Sequence, residues 1–209
     1  QAADGAALSA LLEMLNQLVT ELSAFAGLIH DSMTRTQAWR FLELGRQLEL
    51  AWQTTFLLRH TIVRTSEREA SVLEAILRTL DSFMTYRIRY PFAVQAAPAL
   101  DLMLTDESNP RAIGFQIARI VEHVENLPRD SQSAVRGPEQ KLVLSLQNSL
   151  RLADVFELTR CHASGDRNTL RRFLGRVTEQ LQRLSDLVTS RYLIHAGLPR
   201  HFAAPMRGR

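Results

Sequence analysis

From Leu8 onward the apolar side chains fall at Leu8, Leu11, Leu12, Leu15, Leu18, Val19, Leu22, Phe25, Ala26 and Ile29. This is the i, i+3, i+4, i+7 spacing that draws one stripe along an amphipathic helix. The "HDSMT" stretch interrupts it. Thr34 and Gln37 then stand at capping-box spacing, with Met33 placed to staple the first turn of a second helix that runs to about Val63. Ser66 and Glu69 repeat the capping-box spacing, and Val72, Leu73, Ile76, Leu77, Leu80, Phe83 and Met84 give a third helix that stops before Pro91.

After the "YPFAVQAAP" connector, Pro98 is placed to open a short helix through Leu104, and Asn109 with Pro110 reads as an N-cap followed by a first helical residue. Ile113, Ile117, Ile120, Val121 and Val124 form the inward side of the next helix, which Pro128 ends. "RDSQSAVRG" reads as a polar, mobile loop. Pro138 opens a helix with Leu142, Leu146, Leu150, Ala153 and Phe156 on one side, broken by "HASGD". Leu170, Phe173, Leu174, Val177, Leu181, Leu184 and Val188 stripe the last helix before "HAGLP". No alternating, strand-like run appears, so the pattern predicts an all-α fold: a bundle of about five long helices plus one short helix.

Composition narrows this little. A 209-residue chain that is 45% hydrophobic and 22% charged is long enough for one well-buried core and is neither disordered nor fibrous in character. Its apolar runs break well before the ~18–20 residues that a bilayer-spanning helix needs. One cysteine, Cys161, permits no internal disulfide and fits a reducing cytoplasm. Charge changes the picture more. Residues 1–33 hold Asp4, Glu13, Glu21 and Asp31 with no Lys or Arg, whereas residues 160–209 hold ten Arg against Asp166, Glu179 and Asp186. Lys141 is the single lysine; arginine suits planar, two-pronged recognition of carboxylate or phosphate, and a GC-rich genome favours it as well.

Several chemistries lack their residues. No histidine has a Glu three positions before it, as a carboxylate-bridged di-metal bundle requires, and there is no His-Glu-x-x-His, no cysteine pair, no phosphate-binding glycine loop and no Gly-x-Ser-x-Gly turn. Cys161 adjoins His162, but neighbours on a helix point about 100° apart and make a poor nucleophile–base pair. The arginines of "RNTLRRFLGR" come without interleaved surface aromatics, which favours a solvated face or an acidic neighbour over nucleic acid.

Two stretches carry more. In "MTRTQAWRFLELGRQLELA", Arg40, Glu43, Arg46 and Glu49 sit beside the apolar Trp39, Leu42 and Leu48. An exposed salt-bridge row of this kind contributes a few tenths of a kcal/mol per pair; at the edge of a core it orients helices instead. The second, "TYRIRYPFAVQAAPALDLMLTDESNPRAIGFQIARIVEHVENLPR", concentrates Tyr86, Arg87, Arg89, Asp101, Asp106, Asn109 and Arg111 at a helix junction.

Together these stretches resemble the alpha-E family, a helical domain of unknown function. The likeness is greatest to members fused behind, or encoded beside, a circularly permuted ATP-grasp protein, often with a transglutaminase-like protein alongside. It covers about residues 8–195 and is strongest over Met33 to Leu58 and Tyr86 to Pro128. At the Glu-Arg pair for which the family is named, Glu49 is kept and Leu50 stands in place of Arg. A full domain also resembles a duplicated arrangement with an earlier helix bearing the complete motif.

The resemblance implies one helical domain over residues 8–198, the latter part of a larger domain or fusion, followed by a flexible basic tail over residues 199–209. It also implies a bacterial, cytoplasmic accessory domain of a peptide or amide ligase system. Such a domain has no cofactor or catalytic residue of its own, and an ATP-grasp partner supplies nucleotide and metal binding. Arg40, Glu43, Arg46 and Glu49 then orient helices or meet that partner, and Tyr86, Arg87, Arg89, Asp101, Asp106, Asn109 and Arg111 are the candidate polar pocket. Two alternatives stay open: an enzyme in its own right, which requires Glu49, Asp101 and Asp106 to share one cavity, and an Arg-mediated binder of an acidic partner or nucleic acid.

Overall fold

The structure, a computed structural model, describes residues 2–128 and 135–193, with side chains from Ala7 onward. Most of the polar loop at residues 129–134, the end of the last helical stretch at "HAGLP" and the basic tail lie outside the described residues. The chain divides into two compact units, Gln1–Arg40 and Phe41–Arg209.

The first unit is built on one helix, α1 (Ala2–Ser32). Its stripe from Leu8 to Phe25 is solvent-exposed, with Leu12 at 53% and Phe25 at 61%. The following helix, α2 (Gln37–Thr61), starts in this unit and continues into the second. Arg40 N donates to Thr36 O, so the residue before the first turn is Thr36. Thr34, expected to cap this helix, stands two residues too early.

The second unit continues with α3 (Glu69–Thr79), α4 (Phe83–Arg89) and α5 (Ala96–Leu100), which runs directly into a π-helical turn, π1 (Asp101–Thr105). Then come α6 (Ile113–Glu125), α7 (Pro138–Arg151), α8 (Val155–Thr159), α9 (Asn168–Val188) and a second π-helical turn, π2 (Thr189–Leu193). No strand occurs among the described residues, and the fold is all-α. Outside α1, the predicted stripes supply most of the core: Leu73, Ile76 and Leu77 of α3, Ile113, Ile117 and Ile120 of α6, and all seven stripe residues of α9 are buried together, while Met84 is exposed.

Two helices read as continuous are broken. α3 ends in a Schellman motif: Asp81 N donates to Arg78 O and Ser82 N to Leu77 O, with Asp81 in the left-handed region at φ 47°. The Ser66 side chain makes no capping bond to α3, whose N-cap is Arg68. The helix from Pro138 stops at Arg151. Asp154 caps a new one by accepting from Phe156 N at 2.9 Å and Glu157 N at 3.2 Å, which turns Phe156 outward to 74% exposure rather than onto the inner stripe. The short helix starts at Ala96, two residues before Pro98, and α6 starts at Ile113 behind Ala112, so Asn109 caps no helix.

π1 lies at the centre of this unit. Leu102, Met103 and Leu104 are consecutive and all fully buried, because α6 and α7 pack on it while α5 leads into it. The wider turn, marked by Asp106 N donating to Asp101 O, offers successive side chains to several neighbours. Gly114 makes the α6 crossing possible: a Cβ there would lie 2.5 Å from Thr105 O.

Candidate functional site

Of the charged row on α2, Glu43 and Arg46 pair. Arg46 Nε donates to Glu43 Oε1 at 3.2 Å and Nη2 to Oε2 at 2.8 Å, while Gln47 Nε2 adds 3.4 Å to Oε2. The Glu43 side chain is 15% exposed and that of Arg46 52%. Burial works against the Glu43 charge, but the bonds and positive charge of Arg46 and the Gln47 amide outweigh it, so the carboxyl sits below its ordinary value. Glu49 is exposed and accepts from Gln53 Nε2 at 2.7 Å, one turn further on, rather than from Arg46. Arg40 is half-buried in the first turn of α2.

The second stretch divides into separate local structures. Tyr86 is 1% exposed and its hydroxyl accepts from Gln95 N at 3.0 Å, while its ring lies 5.2 Å from that of Tyr90. Tyr90 donates to Asp101 Oδ2 at 3.4 Å, and burial together with that negative neighbour raises its phenol above the usual range. Arg89 bonds the Asp106 carboxylate and donates to Ser108 Oγ at 3.1 Å. Asp106 also accepts from Ser108 N and Oγ, both at 2.7 Å; against the opposing effect of burial, these bonds and Arg89 hold its carboxyl below the ordinary value. Arg87 is exposed and reaches Phe92 O at 3.3 Å.

Asn109 is buried and structural, its Nδ2 donating to Leu102 O at 2.9 Å and Ser82 Oγ at 3.0 Å. Arg111 alone of this group turns back toward α2, where it lines a cavity with Thr54 and Gln116. Glu49 instead lines a cavity of about 450 Å³ with Gly45, Leu48, Trp52 and Leu181, to which neither Asp101 nor Asp106 contributes. Cys161 is exposed and its Sγ lies 3.6 Å from Thr159 O, a backbone contact.

That second cavity belongs to a seam between α2 and α9, which run in opposite directions. At the other end Arg59 meets Arg171, Arg172, Arg176 and Gly175 around a cavity of about 620 Å³. Between the two ends Trp52 and Phe56 stack at 5.5 Å between ring centres and are 41% and 50% exposed. Gly45 and Gly175 lie mid-helix at the two ends, and a Cβ on either meets nothing within 4 Å.

The sequence offered no reason to single out Thr54, Gln116 or Glu139, all buried; Arg167, read with the solvated arginine face of "RNTLRRFLGR", is buried as well, at 3% exposure. Their one signal is a polar residue at an inward position: Gln47 and Thr54 share the α2 face of Leu44, Ala51 and Leu58, and Gln116 adjoins Ile113 and Ile117. Glu139 accepts from Arg191 Nη1 at 2.9 Å and the Tyr192 hydroxyl at 3.0 Å, joining the start of α7 to π2. Among the described residues no group of three or more His, Cys, Asp or Glu is placed to hold a metal ion, and no helix is long and apolar enough to cross a membrane.

The fold and these surfaces define an all-α helical domain in which Tyr90, Asp101, Asn109 and Glu139 link separate segments, while the charged row of α2 bonds within its own helix. The chain belongs to the Alpha-E family, described as a predicted alpha-helical domain with a conserved ER motif, which it matches over residues 1–193. The chain has one adjacent Glu-Arg pair, Glu67–Arg68, exposed just before α3. Among its relatives are an uncharacterised protein of Mycobacterium bovis and uncharacterised proteins of two Mycobacterium tuberculosis strains, each 31% identical over 197 residues. The match takes in 93% of this chain and 22% of each relative, so the chain spans about a fifth of their length. No solved structure matches it.

Proposed function

We propose that the chain is a docking domain, the accessory part of an ATP-grasp-type ligase that joins carboxylates to amines, and that the α2/α9 seam meets the catalytic partner. The ligase context rests on the resemblance carried by the α2 and Tyr86–Pro128 stretches. The docking role rests on Gly45 and Gly175. A glycine inside an exposed helix costs about 1 kcal/mol relative to alanine, and nothing among the described residues occupies the space a Cβ would take at either position. Small residues at two ends of a seam, with Trp52 and Phe56 exposed between them, suit the close approach of another backbone.

Gly45→Ala and Gly175→Ala separate this reading from a merely tolerated pair of glycines. In a melt of the chain alone, each raises the midpoint by a few degrees. In calorimetry against the ATP-grasp protein of the same system, each weakens association about tenfold or more. Stabilisation with unchanged association would overturn the docking role. A second reading, an acidic or nucleic-acid partner at the basic end, is favoured by Arg59 and Arg172, whose guanidinium groups are unpaired among the described residues. Nucleic-acid binding there would fall steeply with added salt.

A further inference from the structure

Thr54 and Gln116 carry hydrogen-bonding capacity that the described residues leave unused. On α2 the hydroxyls of Thr55 and Thr61 bond back to the carbonyls one turn earlier, at 2.7 Å to Ala51 O and 2.6 Å to Leu57 O, the usual outcome for a helical threonine. Thr54, only 6% exposed, makes no such bond among the described residues. Gln116 is 1% exposed and donates Nε2 to Pro110 O, which fixes the orientation of its amide; Oε1 is then buried without a partner among the described residues. A buried acceptor in that state costs about 1–3 kcal/mol.

Arg111 supplies a third open group. The guanidinium groups of Arg89, Arg151 and Arg167 are held by carboxylates, whereas that of Arg111 has no partner among the described residues. Thr54, Gln116 and Arg111 line one cavity of about 240 Å³, with Leu50, Leu57 and Leu80 as its apolar side. The lining holds one cation and no carboxylate. Its volume falls below the ~300–1,000 Å³ of pockets that take drug-sized ligands, which limits the occupant to roughly the size of an amino acid.

We propose that this cavity binds a small carboxylate with an N–H donor beside its carboxyl group and an apolar side chain: a free apolar amino acid or the last residue of a peptide. The Arg111 fork takes the carboxylate, for which its planar donors are suited, and the Thr54 hydroxyl donates to the same group. With a small turn of the Gln116 amide, Oε1 accepts from the ligand N–H and gains the bond the empty chain lacks. Leu50, Leu57 and Leu80 cover the side chain. The site shares no residue with the α2/α9 seam, so the docking reading and this one stand or fall separately.

Titrating ¹⁵N-labelled chain with N-acetyl-leucine, leucine and leucinamide tests the assignment. At least one of the two carboxylates produces saturable shifts centred on Thr54, Arg111 and Gln116, and the tighter of the two tells a peptide end from a free amino acid. Leucinamide, without the carboxylate, binds at least about tenfold more weakly. Arg111→Gln, at an exposed position, leaves the rest of the spectrum in place and weakens binding by a similar factor. Thr54→Val keeps the helix and shape and weakens it severalfold. No saturable shift with either carboxylate, equal binding of leucinamide, or unchanged binding by Arg111→Gln would overturn the proposal.

Discussion

Arg167 and Glu69 form an ion pair at 2.6 Å in which the arginine side chain is 3% exposed and the glutamate 32%. The same guanidinium donates from Nη1 to Ile62 O and from Nε to Thr159 O, both at 2.9 Å, so one side chain fastens the end of α2, the start of α3 and the end of α8. Two backbone bonds, Thr65 N to Gly165 O and Arg167 N to Val63 O, both 2.8 Å, run alongside.

Arg167→Ala removes donors from two carbonyls and a partner from a carboxylate at once. The expected loss is about 3 kcal/mol in a urea melt. Arg171→Ala, at an exposed arginine paired with Asp166 at 3.2 Å, should cost under about 1 kcal/mol. Similar losses for the two would show that Arg167 does not join these segments.

The Glu43–Arg46 pair gives the fold an acid-sensitive contribution. Because the native carboxyl lies below its unfolded value, its stabilisation is complete above the unfolded value, near ~4.3. It is lost as the pH drops through the native value. With Arg46 half exposed, Arg46→Ala should cost about 1–2 kcal/mol at neutral pH, between the values for surface and buried pairs. The gap between wild type and variant should narrow as the pH is lowered below 4; a gap independent of pH would count against the pair as its source.

Gly114 invites the opposite expectation from Gly45. Alanine is the better helix former by about 1 kcal/mol, yet at Gly114 its Cβ would meet Thr105 O at 2.5 Å, a backbone atom of the central turn. Gly114→Ala should therefore destabilise by about 2 kcal/mol or more, as a lowered melting midpoint in calorimetry. A midpoint raised as it is for Gly45→Ala would refute the close crossing.

Asp81 tests the break between α3 and α4. Held at φ 47°, it suits glycine at least as well, whereas a β-branched residue there is strained by about 1–2 kcal/mol. Asp81→Gly should match or exceed the wild type, and Asp81→Val should fall below both in guanidinium melts. Equal stability for all three would mean that the left-handed turn is not retained.

The stripe of α9 was legible because every inward position is apolar and the period is unbroken; that of α6 was legible from Ile113, Ile117, Ile120 and Val124, although Gln116 and His123 are buried beside them. The end of α3 was not, since the left-handed residue is an aspartate and no glycine marks the stop. Asp154 had the right chemistry for a cap but lay inside an apolar period that ran on to Phe156. In the charged row, spacing alone put Glu43 and Glu49 equally far from Arg46; the partly buried Glu43 is the one it joins, and Gln53 takes Glu49. Arg111 was legible as a candidate because it is charged. Thr54 and Gln116 were not, because the significance of a polar residue on a buried face depends on what stands across from it, 62 residues apart in sequence for this pair.

The enclosure of Leu102, Met103 and Leu104 has a kinetic counterpart. Residues surrounded on every side have no local opening that brings their amides to water without displacing α6 and α7, so deuterium should reach them only when the whole unit comes apart. Their exchange would then time the complete unfolding of Phe41–Arg209, and a ligand or partner that tightens this unit should slow those three amides together, wherever on its surface it binds.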